Sequence, residues 1–295
     1  MASLWGGRFE KDMDALVKQY NASIFFDQRM YNEDIDGSVA HVTMLAKQGI
    51  VTEAERDQII AGLEGIRADI AAGKIVFTVE DEDIHMGVES RLIQRIGDVG
   101  KKLHTARSRN DQCQVDGRLY LKKEIREILE ELRQLEEVIL RKAEQYADQI
   151  TVGFTHLQHA QPITVGFVFM AYFQMFKRDI QRLEDTLERM DYNPLGSCAL
   201  AGTTMPIDRH CTSELLGFAA PCENAMDGVS DRDYSLEFLS DASISMMHLS
   251  RWAEEFAWWN SSEFSYIAID DSFCTGSLSL IHISEPPRHL RISYA

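Results

Sequence analysis

Residues 121–139, LKKEIREILEELRQLEEVI, place Leu121, Ile125, Ile128, Leu132, Leu135 and Ile139 at alternating steps of four and three. That spacing keeps one stripe of an α-helix apolar and predicts packing at a shallow angle against a similar helix. Two later stretches repeat it. One runs through Phe169, Phe173, Phe176, Ile180, Leu183, Leu187 and Met190, the other through Phe238, Ala242, Ser245, Leu249, Trp252, Phe256 and Trp259. At 1.5 Å per residue the helices that carry these stretches are expected to span about 35–40 Å each, long for a single globular core. Leu129, Leu140, Val168, Met170, Met246, Met247 and Trp258 lie outside these seams. So wide an apolar surface is expected of helices buried on several sides, as in a multi-subunit bundle. The aromatic and Met positions therefore read as core, not as a cofactor box, and the expected fold class is all-α.

The rest of the composition limits the function. The chain has 295 residues, enough for about two domains. Its formal net charge of -17 and pI near 4.9 argue against a nucleic-acid partner held through phosphates, while leaving room for a local cationic pocket. Cys113, Cys198, Cys211, Cys222 and Cys274 form no CxxC pair and no metal-ligand spacing. They read as reduced thiols of a cytoplasmic protein. The N-terminus shows no signal-peptide pattern, and no apolar run is long enough for a membrane span.

Before the first long helix, Thr52-Glu53-Ala54-Glu55 reads as a capping box, and Ile59, Ile60, Leu63 and Ile66 continue that helix until Gly73. Glu80-Asp81-Glu82-Asp83 precedes Ile84-His85. The acids suit a helix N-terminus; the functional reading has His85 and its neighbours lining a pocket. Lys101 to Gln112 packs four cations, two hydroxyls and an Asn-Asp pair directly ahead of the long helix. Ser108, Arg109 and Asn110 with the first-turn N–H groups would bind a carboxylate, or the run is an ordinary solvated loop. Thr155-His156-Leu157-Gln158-His159-Ala160-Gln161-Pro162 reads as a polar loop between two long helices. Its imidazoles are either surface groups or proton-transfer groups suited to neutral pH. Asn193 to Pro206 is a turn-rich connector, and Asp231-Arg232-Asp233 opens the third long helix.

Taken together, these segments resemble the argininosuccinate lyases of the fumarase/aspartase superfamily, with their lens relatives the delta-crystallins. The likeness is carried by Leu4 to Phe9, Asp34 to Ser38, His104 to Gln112, Thr155 to Pro162, Leu195-Gly196 with Ala201 to Thr204, and Asp231 to Asp233. It covers about residues 1–277. The resemblance implies a mostly helical N-terminal domain over 1–105 and a central long-helix bundle over 106–277. It also implies a reversible elimination of argininosuccinate to arginine and fumarate, without metal or organic cofactor, in a homotetramer whose subunits share the active sites. Ser108, Arg109, Asn110 and Thr155 are implied to hold the carboxylates. His156 is the implied proton-transfer partner, and Ser23, Asp27, Asp231 and Arg232 are implied to orient the substrate. Ser277 matches the catalytic serine of a mobile loop, where cations and donors must stabilise its alkoxide.

After Ser277 the likeness stops. The family's loop lysine and asparagine have no counterpart in 278–295, which carries Pro286-Pro287 and no continued seam. These residues are expected to be a non-family tail on a truncated lyase of impaired activity. The rival readings are adenylosuccinate lyase or another superfamily enzyme, and a non-catalytic, crystallin-like helical protein.

Overall fold

A computed structural model describes residues 13–273, 275–276 and 293–294. Leu4 to Phe9, Ser277 and nearly all of the 278–295 tail lie outside the described residues. The chain is all-α in class, and it divides into two compact units. The first comprises Met1–Arg126 and Leu187–Ser235, the second Glu127–Thr186 and Leu236–Ala295.

In the first unit, short helices α1 (Ala15–Asn21) and α2 (Ile24–Asp27) lead into α3 (Tyr31–Lys47), α4 (Glu53–Ala71) and α5 (Ile84–Ile96). Ile35, Val42, Leu45, Ile59, Leu63, Ile66, Val88 and Leu92 meet as its core. Gly62 lets α4 and α5 approach, since a Cβ there would lie 2.7 Å from Leu92 Cδ1. The expected capping box opens α4: Glu55 N donates to Thr52 Oγ1 at 3.3 Å, and Thr52 N to Glu55 Oε2 at 3.0 Å. Thr52→Ala should lower stability by about 1 kcal/mol, measured by chemical denaturation; an unchanged midpoint would remove the cap from the account.

The long α6 (Arg109–Gln145) begins in this unit. The segment before it is fastened to α3. The His41 imidazole is fully buried, and its Nε2–H donates to the Thr105 carbonyl at 2.8 Å. Arg107 Nη1 donates to Ser38 Oγ at 2.9 Å. Beyond α7 (Val165–Arg189) the unit is completed by α8 (Arg209–Leu216) and α9 (Ala225–Ser230), and by the opening residues of α10 (Asp233–Trp259).

The second unit holds the remainder of α6, α7 and α10. The expected seam is aromatic here: Trp252 stacks on Tyr172 at 5.6 Å between centroids and meets Phe176 and Phe256. Polar pairs interrupt it. Thr186 Oγ1 donates to Asp241 Oδ2 at 2.8 Å, and His248 Nδ1 lies 2.7 Å from Asp179 Oδ2. A buried polar pair matches only one helix register, which an apolar seam alone does not fix. Outside the seam Leu129 is buried, whereas Met246, Met247 and Trp258 are exposed.

The segment read as a polar loop is a β-hairpin, which corrects that expectation. β1 (Ile150–Thr155) pairs antiparallel with β2 (Gln158–Thr164), with a register shift between Gly153 and Phe154. His156 and Leu157 form the two-residue turn with φ of 51° and 58°. Two successive left-handed residues give the turn whose twist matches paired strands. Gly166 lets the start of α7 (Val165–Arg189) approach the end of α6, since a Cβ there would lie 2.4 Å from the Ala143 carbonyl oxygen. Two-residue β3 (Tyr192–Asn193) and β4 (Ala220–Pro221) pair in parallel in the first unit.

Candidate active site

In the first unit, three helix starts are tied together. Asp83 caps α5, accepting from Met86 N at 2.7 Å, and it also pairs with Arg109 at the start of α6. Asp27, at the end of α2, accepts from Ile84 N at 3.1 Å and from the Ser23 hydroxyl at 2.5 Å. Burial pushes the Asp27 carboxyl up, against the Ser23 hydroxyl, which draws it down. Glu82 closes the group from the backbone. Its φ of 64° is costly for a side-chain-bearing residue, and its carbonyl accepts from Ser23 N and Ile24 N. Of the expected site residues, Ser23, Asp27 and Arg109 are thus brought together, with Arg109 already paired.

Asp111 organises the start of α6. It is fully buried; Oδ1 accepts from Ser108 N at 2.9 Å, and Oδ2 accepts from Gly196 N and Cys198 N at 2.9 and 2.8 Å. The connector 195–202 is thereby folded against the helix start, with Gly196 and Cys198 both at positive φ. Asn110 Nδ2 donates to the Ala199 carbonyl at 2.7 Å, and Ser108 Oγ accepts from Asn110 N at 3.3 Å. Ser108 is half-buried and Asn110 exposed. A hydroxyl and an amide at a helix start, where the dipole favours negative charge, suit a carboxylate ligand.

Asp231 and Arg232 lie between α9 and α10, and Asp231 meets α6 farther along. Gln114 Nε2 donates to the Asp231 carbonyl at 2.8 Å, and Arg118 pairs with the Asp231 carboxylate. Arg118 is ten residues past Ser108, about 15 Å along the helix. Asp231 also caps α10, accepting from Asp233 N at 2.7 Å, while Arg232 is exposed and donates to the Val229 and Asp231 carbonyls.

Thr155 and His156 belong to the second unit, at the exposed tip of the hairpin. They line a cavity of about 800 Å³ together with Arg251, Glu254, Trp258 and Trp259. Ser277 lies outside the described residues. Sequence reasoning missed the roles of Asp83 and Asp111. Each stands at or beside a helix start, the one signal that marked them.

Residues 7–279 match the sequence family described as Lyase. The chain belongs to the lyase family. Among curated relatives in it, the argininosuccinate lyase of Carboxydothermus hydrogenoformans is 56% identical over 274 residues, covering 93% of this chain and 60% of the relative. That of Acinetobacter baylyi is 55% identical over 276 residues, 94% of this chain and 58% of the relative. The chain thus spans about 60% of the length of these lyases. Among solved structures, EDDS lyase in complex with formate is 31% identical with a TM-score of 0.79, over 85% of this chain and 50% of the other. A fumarate lyase from Mesorhizobium sp. BNC1, 19% identical with a TM-score of 0.67, covers 87% and 60% and speaks to the fold alone. The lyase family and an all-α fold agree with the resemblance and the helical periodicity in the sequence.

Proposed function

We propose that this chain carries the argininosuccinate lyase reaction, the reversible elimination of argininosuccinate to arginine and fumarate in arginine biosynthesis. The observation that carries this reading is 55–57% identity to argininosuccinate lyases over more than nine-tenths of the chain. The carboxylate-suited start of α6 supports it from the chemistry. In this reading Ser108, Asn110 and Thr155 hold the carboxylates of the fumarate half. Arg109 belongs to the same carboxylate-holding set, its guanidinium kept in place by Asp83. Ser23, Asp27, Asp231 and Arg232 orient the remainder.

A base, Ser277, removes the Cβ proton, and the adjacent carboxylate takes up the developing charge. His156 passes a proton toward the departing guanidino nitrogen. The active unit is a homotetramer in the cytoplasm, and the exposed Met246, Met247 and Trp258 fit helices covered by other subunits. Among the described residues no helix is long and apolar enough to cross a membrane.

The test is release of fumarate from argininosuccinate by the purified chain, followed by its ultraviolet absorbance. Slow turnover is expected, since residues 278–295 offer no lysine or asparagine to stabilise the developing charge, and Asn110→Ala should lower it by about a further 10²-fold, the usual effect of removing one donor to a developing oxyanion. Absence of turnover in a folded, tetrameric preparation would overturn the assignment.

A further inference from the structure

We propose that Asp34, His85 and Asp116 form a binding site for a first-row divalent cation, separate from the substrate residues. The three come from α3, α5 and α6, too far apart in sequence for any ligand spacing to reveal them. His85 Nδ1 lies 2.8 Å from Asp34 Oδ1 and 3.1 Å from Asp116 Oδ2. All three side chains are buried, with 1%, 3% and 0% of Asp34, His85 and Asp116 exposed. One candidate ligand atom from each lies within 4.8 Å of the others.

A second observation points to an ion. Oδ1 of Asp116 and Oδ2 of Asp34 are buried without a hydrogen-bond donor, and Asp116 Oδ2 meets only the His85 Nδ1 that Asp34 already shares. The single Nδ1 proton of an imidazole cannot serve two carboxylates. Gln112 Oε1 is also buried and unpartnered, while its Nε2 donates to Asp34 Oδ1 at 2.6 Å. Amide orientation is an inference from hydrogen bonding. Turning this amide would offer its oxygen as a further ligand.

The spacing suits the ion. Neighbouring ligands of a six-coordinate cation with bonds of about 2.1 Å sit about 3.0 Å apart. One imidazole with carboxylate and amide oxygens suits Zn²⁺ or Mn²⁺. On the far side of the ring, Cys113 Sγ lies 3.2 Å from His85 Nε2 and fixes the ring's orientation, as outer partners of metal-bound histidines do. The Arg107 guanidinium donates to Ser38, and its charge favours the ionised Asp34. The bound ion would pin the three helices near the starts of α5 and α6.

The test uses the full chain, stripped with a chelator and titrated with Zn²⁺ by calorimetry. One ion per chain is expected, with a rise in the thermal midpoint. Asp116→Asn keeps the side-chain size and should weaken binding at least tenfold. No stoichiometric binding, or equal binding by the variant, overturns the site. If the variant does not fold, Co²⁺ added to the unsubstituted chain decides: it should broaden the His85 imidazole resonances first. Broadening confined to other histidines overturns the proposal equally.

Discussion

Asp111→Ala should destabilise the chain by about 4 kcal/mol or more. The carboxylate accepts three backbone N–H groups, those of Ser108, Gly196 and Cys198, at 2.8–2.9 Å. A hydrogen bond to a charged group contributes about 1.5–3 kcal/mol, and each buried donor left unpaired costs about 1–3 kcal/mol. Such a loss is a large part of a typical folding free energy of about 5–15 kcal/mol. The damage should also reach the candidate site, because the same carboxylate shapes the turn that receives the Asn110 amide. Asp111→Asn keeps one oxygen acceptor and should fall between the two. Denaturant titration of the three proteins checks this order. A shift below about 1 kcal/mol for the alanine variant would mean that the connector is held by other contacts.

Acid should destabilise this chain through His41, by about 2 kcal/mol at pH 5. Burial, and then the neighbouring Arg107 guanidinium, push the His41 imidazole down to about 3 from an ordinary value of 6.5. The unfolded chain therefore binds a proton that the folded chain refuses. The contribution is complete above pH 6.5 and is lost as the pH falls toward 3, at about 1.4 kcal/mol per unit. Asp116 works with the opposite sign over part of this range, because burial and the Asp34 carboxylate push it up to about 7. The test is therefore a difference between proteins. His41→Gln keeps a donor for the Thr105 carbonyl and cannot titrate. Its unfolding free energy should fall less steeply between pH 7 and pH 5, and parallel curves would exclude His41 as the origin.

The long helices were legible because a seam repeated over five turns or more leaves no other secondary structure to compete with it. Thr52 and Glu55 were legible because a capping box is local, four residues long and sterically specific. The hairpin was not. Its Ile150-Thr151-Val152 start is rich in strand formers, but His156-Leu157 lacks the Asn-Gly or Asp-Gly signature of a tight turn. In the candidate site, the start of α6 was legible from its cluster of polar residues. The part of Asp111 was not, because two of its three partners lie some 85 residues downstream. Asp34, His85 and Asp116 share that difficulty, since only the packing of three helices brings them together. The exposure of Met246 and Met247 against the burial of Leu129 could not be read from hydropathy, which scores all three as core.

The division of the chain sets a timetable for its synthesis. Each boundary between the units falls inside a helix, α6, α7 or α10, so neither unit is a continuous piece of sequence. At about 5–20 residues per second, Leu187 leaves the ribosome roughly 3–12 s after Arg126. Through that interval α3, α4 and α5 can already pack, while the Asp111 carboxylate lacks the Gly196 and Cys198 amides that complete it. The start of α6 is therefore assembled late, by a segment made after the hairpin and α7 have emerged, so the N-terminal helices precede the contacts that complete their own unit.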